Sequence, residues 1–175
     1  LAAGKGGFKA GLTMSKFTGD DASFTDPDLG SLSPGYRTGF AVGAYSCYAL
    51  SPTLTFQPEA YYAMRGSKYS TTVEGMDADI TFKFNYLEVP LLFMIQPAAS
   101  GNAAPFFYAG PQINMKLSAK VAAEVEGVSA DVDISDEVET FGFGLTAGAG
   151  VQINKISIEG RYTMGLSSIY EGESV

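Results

Sequence analysis

Side-chain character alternates with a period of two along most of the chain. This constrains the fold more than any other feature, because only an extended strand sends successive residues to opposite faces. Residues 139–154 show it best. Phe141, Phe143, Leu145, Ala147, Ala149, Val151 and Ile153 share one face, while Thr140, Gly142, Gly144, Thr146, Gly148, Gly150, Gln152 and Asn154 share the other. After Asn154-Lys155 the pattern resumes, with Ile156, Ile158, Tyr162, Met164 and Leu166 set against Ser157, Glu159, Arg161, Thr163 and Ser167. The two runs predict a hairpin of long strands. Similar runs predict strands over 7–16, 36–50, 53–65 and 105–121. Residues 80–96 change phase: Leu87, Val89, Leu91, Phe93 and Ile95 form an apolar face, but Ile80, Phe82, Phe84 and Tyr86 have the opposite parity. That predicts a bulge or a change of environment near Tyr86. Most of the resulting strands exceed the five or six residues usual in globular sheets and are long enough to cross a membrane at a tilt.

Composition narrows the function. The 175 residues are one domain's worth of chain, and 19 acidic against 11 basic residues, a net charge of -8, leave no basic footprint for a nucleic-acid partner. With no histidine, Ser-His-Asp and Cys-His mechanisms and most zinc sites are excluded. The chain is 46% hydrophobic but only 17% charged, below the roughly 25% charge of ordinary domains. Apolar surface is therefore being placed somewhere other than a core. No run of apolar residues is long enough for a transmembrane helix, so a membrane would be crossed by strands. The lone Cys47 excludes an internal disulfide and reads as a small apolar filler, and Leu-Ala-Ala-Gly at the start is too short for a signal peptide.

Connections alternate in length. Residues 18–34, 67–79 and 121–138 are long, polar and rich in Gly, Ser and Asp, whereas Ser51-Pro52, 97–104 and Asn154-Lys155 are short. Outer-membrane barrels have short periplasmic turns and long outer loops, so the N-terminus is expected in the periplasm and the long loops outside. Nearly all the acids fall in those loops or in the tail; only Glu59, Glu88 and Glu159 lie within strands, on the polar face.

The run Asn85 to Leu92, NYLEVPLL, resembles the PorT-like outer-membrane β-barrel family of Bacteroidota. So do FQPEAYY (Phe56 to Tyr62), PFFYAGP (Pro105 to Pro111), GLTAGAGVQI (Gly144 to Ile153), IEGRYTMGL (Ile158 to Leu166) and the opening GFKAGLTMS (Gly7 to Ser15). The resemblance implies an all-β fold, an eight-stranded antiparallel up-and-down transmembrane barrel, inserted in the outer membrane after export. It also implies association with large outer-membrane protein assemblies. Seven strands are legible over residues 1–175, read as a single domain, and the closing strand is expected to be missing from it.

In so narrow a barrel, side chains fill the interior. Glu59, Glu88 and Glu159 are expected to pair there with Lys9, Arg65, Lys116 or Arg161, because an unpaired charge in a dry lumen is costly. A glycosidase-like carboxylate pair lacks a cleft and a sequence signature. Asp131, Asp133, Asp136 and Glu137 are candidate ligands for a weakly bound Ca²⁺, although the segment lacks an EF-hand pattern and a solvated loop explains it better. The Gly-rich run near Ala147 to Gly150 reads as close packing rather than a phosphate loop, and the tyrosines suit interfacial girdles. The expectation is a non-enzymatic barrel without cofactor, serving as an accessory subunit or surface scaffold in outer-membrane lipid. The alternatives are a soluble lipocalin-like carrier, which needs the apolar face turned inward, and a narrow solute pore.

Overall fold

The structure, a computed structural model, describes residues 5–17, 24–26, 30–32, 34–73, 76–97, 103–125, 128–134 and 140–166. The strands are β1 (Lys5–Ser15), β2 (Phe24–Asp26), β3 (Gly30–Leu32), β4 (Gly35–Ala49), β5 (Leu54–Val73), β6 (Met76–Ile95), β7 (Ala103–Val125), β8 (Val128–Asp133), β9 (Phe141–Ile153) and β10 (Ile156–Gly165). The main sheet runs β1-β4-β5-β6-β7-β9-β10, with antiparallel neighbours throughout. β7 pairs with β9 over its first half and with β8 over its second, and β2 and β3 form a separate hairpin. The sheet curls into a half-barrel that brings its first and last strands close enough for side chains to meet.

Burial is inverted relative to a soluble protein. Phe8, Leu12, Phe143 and Ile158 are exposed, while Gln57, Glu59, Glu88, Gln112 and Thr146 are all at most 5% exposed. The strands between the two edges, β1 and β10, pair along both sides, and the apolar faces turn outward, as a bilayer demands. The lipocalin-like carrier needed the opposite orientation, and the strands do not adopt it.

Three sequence expectations are corrected. The segments 67–79 and 121–138, expected as loops, are largely strand: β5 and β6 pair as far as Val73↔Met76, and β7 and β8 as far as Val125↔Val128. Part of 18–34 forms the β2-β3 hairpin. Thr71, Thr72 and Val73 favour extended backbone, but Ser70, Thr71 and Thr72 are polar in succession and carry no phase. β8 does alternate, Val128, Ala130 and Val132 with Ser129, Asp131 and Asp133, but its acids read as loop residues.

The phase break in β6 is a change of environment, accompanied by a bulge on its neighbour. Asn85 opposes Ser118 and Tyr86 opposes Lys116, so Leu117 is the extra residue on β7. Parity within β6 is unbroken, with Phe84, Glu88 and Leu92 all buried. At the ribbon end the interior becomes aromatic: Phe17 packs on Phe82 and Phe84 at 5.5 and 5.7 Å between ring centroids, and Tyr69 on Phe82 at 5.7 Å.

A second register shift, between Tyr36 and Ala41, leaves β5 backbone without its β4 partner. Side chains take over. Thr13 Oγ1 donates to the Met64 carbonyl at 2.8 Å, Ser15 Oγ accepts from the Gly66 amide and donates to its carbonyl, both at 2.9 Å, and Arg37 donates to the Arg65 carbonyl. Gly66 has φ +146°, and a Cβ there would lie 1.9 Å from the Phe82 carbonyl oxygen, so only glycine fits.

Candidate functional site

Two residues apart on a strand means the same face, and this places Gln57, Glu59 and Tyr61 of β5, and Glu159 and Arg161 of β10, on the interior with Lys9 of β1. Lys9 Nζ bonds Glu59 Oε1 at 2.9 Å and Glu159 Oε2 at 2.8 Å. Arg161 Nη2 bonds Glu59 Oε2 at 2.6 Å and Glu159 Oε1 at 3.0 Å. The result is a closed cycle of two acids and two bases joining the first, third and last strands of the sheet. Glu59, whose side chain is fully buried, also accepts from Gln57 Nε2 at 2.7 Å.

Aromatic rings wall the cycle. Lys9 Nζ lies 5.0 Å from the Tyr45 ring centroid, the Arg161 guanidinium lies 5.0 Å from that of Tyr61 and 5.3 Å from that of Tyr108, and Arg161 Nε donates to Tyr108 Oη at 3.1 Å. Ring faces attract cations most where water is excluded. Tyr108 can reach inward because β9 presents glycine opposite it. A Cβ on Gly148 would lie 2.4 Å from Tyr108 Oη, and one on Gly150 would lie 2.4 Å from Phe106 Cζ. The alternating glycines of β9 are thus packing positions, as the sequence suggested.

A second ion pair lies towards the ribbon end. Arg65 engages Glu88 in a two-pronged contact, Nε to Oε1 at 2.8 Å and Nη2 to Oε2 at 2.9 Å, the strongest geometry for this pair. A neutral ladder crosses the same interior: Gln112 Nε2 donates to Asn114 Oδ1 at 2.6 Å, Thr146 Oγ1 to Gln112 Oε1 at 2.7 Å, and the Thr146 and Thr163 hydroxyls meet at 2.9 Å. Between β1 and β10 a cavity of 1090 Å³ opens, bordered by Lys9, Thr13, Glu159 and Thr163.

Of the residues expected in the lumen network, Lys9, Glu59, Glu159 and Arg161 meet in the cycle, and Arg65 and Glu88 in the separate pair. Lys116 is half-buried on the inward parity of β7, opposite Tyr86. The expectation treated the charges as one pool, and the structure divides them into two clusters at different depths. It also adds Gln57, Tyr61 and Tyr108, whose inward parity was legible but whose hydrogen-bonding role depends on strand register. Of the candidate cation ligands, Asp131 and Asp133 fall in β8, where Asp133 is exposed, and Asp136 and Glu137 lie outside the described residues. Among the described residues no cluster of three or more acidic or cysteine side chains could hold a metal ion.

In the cycle every carboxylate oxygen accepts at least one charge-assisted bond. A general base or nucleophile needs an oxygen directed at a substrate. The arrangement instead fixes strands to one another across the interior.

A family model described as "Outer membrane protein beta-barrel domain" matches residues 5–171. The chain belongs to this family. No curated protein and no solved structure gives a match.

Proposed function

We propose that this outer-membrane β-barrel protein is a non-enzymatic scaffold, an accessory subunit of the PorT-like kind rather than a channel. The observation that carries the reading is the Lys9–Glu59–Arg161–Glu159 cycle, in which side chains of three strands bond one another across the interior. An interior stapled in this way supports the strands and leaves interaction to the ends and to the outer surface. The tight turns Ser51-Pro52 and Asn154-Lys155 would then face the periplasm, and the β5-β6 and β7-β8 ribbons would project outside as the recognition elements. The motif resemblance to PorT-like barrels of Bacteroidota supports a partner within a larger outer-membrane assembly.

The test has two arms. Reconstituted into planar bilayers, the protein should give no single-channel steps, and steps of uniform size would favour the narrow-pore reading. Extracted in mild detergent from its native membrane, it should co-purify with another envelope protein; recovery as the lone chain would count against the subunit role.

A further inference from the structure

The eleven Lys and Arg residues are sorted by position. Lys9, Arg37, Arg65, Lys116 and Arg161 are inward, and Lys5 and Lys155 are exposed at the tight-turn end. Lys16, Lys68, Lys83 and Lys120 point outward, beyond the apolar belt at the ribbon end. Lys68 sits between the buried Ser67 and Tyr69, Lys83 beside the buried Phe84, and Lys120 beside the buried Ala119, so alternation turns all three to the outer face. Lys16 stands over the exposed Tyr36 ring, 5.1 Å from its centroid.

Register brings three of them into one row. Lys83 and Lys120 are direct cross-strand partners, and Lys68, paired with Thr81, is the diagonal neighbour of Lys83. Direct partners have Cβ atoms about 5 Å apart, and like charges so placed repel. The row adjoins the apolar belt, whose last outward residues on the same strands are Met64, Leu87 and Leu117. Three or four residues further along a tilted strand is about 10 Å of depth, which is headgroup level. Asp133 opposes Lys120 on β8, and the backbone pair Asp79↔Glu124 lies four positions from the pair Lys83↔Lys120, towards the ribbon end. Along these strands the outer face thus passes from apolar to basic.

We propose that Lys68, Lys83 and Lys120 bind the phosphate groups of membrane lipids in the leaflet at the ribbon end. An ammonium serves as a compact point charge for phosphate, and two on adjacent strands can share one phosphate. The lysine stem can lie along the belt while its head stays at the interface. The lipid source follows from depth, since the row borders the hydrocarbon rather than the ribbon tips.

The full chain is reconstituted into phosphatidylcholine vesicles carrying a trace of spin-labelled phosphatidic acid or spin-labelled phosphatidylcholine, and the motionally restricted fraction of each is read by electron spin resonance. With each lysine near the surface contributing about fivefold, the native protein should favour phosphatidic acid by about tenfold or more. The triple variant Lys68→Gln/Lys83→Gln/Lys120→Gln should lose that preference, while the triple Arg variant and Lys5→Gln/Lys155→Gln keep it. Where the triple Gln variant does not give a heat-resistant barrel, Lys83→Gln alone is read, with an expected drop of about fivefold. No preference in the native protein, or one that survives the Gln substitutions, overturns the proposal. Displacement of the labelled lipid by millimolar inorganic phosphate would assign the row to free phosphate and overturn the lipid source.

Discussion

Lys9 and Glu159, 150 positions apart in sequence, meet at 2.8 Å inside the sheet and join its first strand to its last. Neither strand pairs with the other through backbone among the described residues: β1 pairs with β4 and β10 with β9. The contact therefore does across the interior what hydrogen bonding does between neighbours elsewhere. Glu59 completes the link from β5, and its burial makes it the residue on which the cycle depends most.

Glu59→Gln should destabilise the barrel strongly. It leaves the mostly buried Lys9 and Arg161 sharing a single carboxylate, and removing one partner of a buried ion pair costs about 3–5 kcal/mol. Glu159, with a side chain 17% exposed, should cost less when changed to Gln. Urea unfolding in phospholipid vesicles, followed by the heat-dependent gel shift, measures both; equal small effects would show that the cycle contributes nothing to stability.

Gly148→Ala should be poorly tolerated, because the new methyl would meet Tyr108 Oη at 2.4 Å. Overpacking of this kind costs about 1–3 kcal/mol. Tyr108→Ala removes the whole clashing ring, Cζ as well as Oη, together with the Arg161 hydrogen bond, and leaves only the Gly160 carbonyl 2.6 Å from the new methyl. The double variant should therefore be more stable than the sum of the single losses predicts. Simple additivity in the same unfolding assay would mean that the two positions do not touch.

Phe84→Ala removes the ring at the centre of the aromatic cluster and leaves a cavity against Phe17, Phe82 and Tyr86. Loss of a buried phenyl ring costs about 3–5 kcal/mol. Phe143→Ala, at an outward position 59% exposed, should cost far less. Were Phe143 the costlier position, the apolar face of β9 would be packed inward.

Leu145→Lys places a charge on the lipid face of β9, and such substitutions cost about 2–4 kcal/mol at the bilayer midplane. Its neighbour Thr146 is buried, bonded to Gln112 and Thr163. Thr146→Val should disturb the interior ladder without affecting insertion. Comparison of insertion yield and unfolding midpoint for the two variants separates the lipid face from the lumen face.

How much could be read from the sequence differed by level. Period-two alternation located the strand centres of β1, β4, β5, β7, β9 and β10, because inside a bilayer each strand has one face in lipid and one in a polar lumen. It did not locate the ribbons, where Ser70, Thr71 and Thr72 are polar in succession and the acids of the alternating runs Met76 to Ile80 and Val128 to Asp133 read as loop residues. Phe82, Phe84 and Tyr86 misled for a related reason, since the lumen is itself apolar at that level. Glu59, Glu88 and Glu159 were identifiable as interior acids from parity alone. Which base each one meets was not, because that depends on the relative height of strands far apart in sequence, as with Glu59 and Arg161. The row of Lys68, Lys83 and Lys120 was hidden likewise: cross-strand register makes these three residues neighbours.

The central claim is that the apolar face of each strand meets lipid and the polar face the interior. A nitroxide scan over residues 141–146, on a Cys47→Ser background in bilayers, tests it most directly. Collision with dissolved oxygen, which concentrates in hydrocarbon, should peak at 141, 143 and 145 and fall at 142, 144 and 146, matching the exposure of Phe141, Phe143 and Leu145. Peaks at the even positions, or no alternation, would contradict the account.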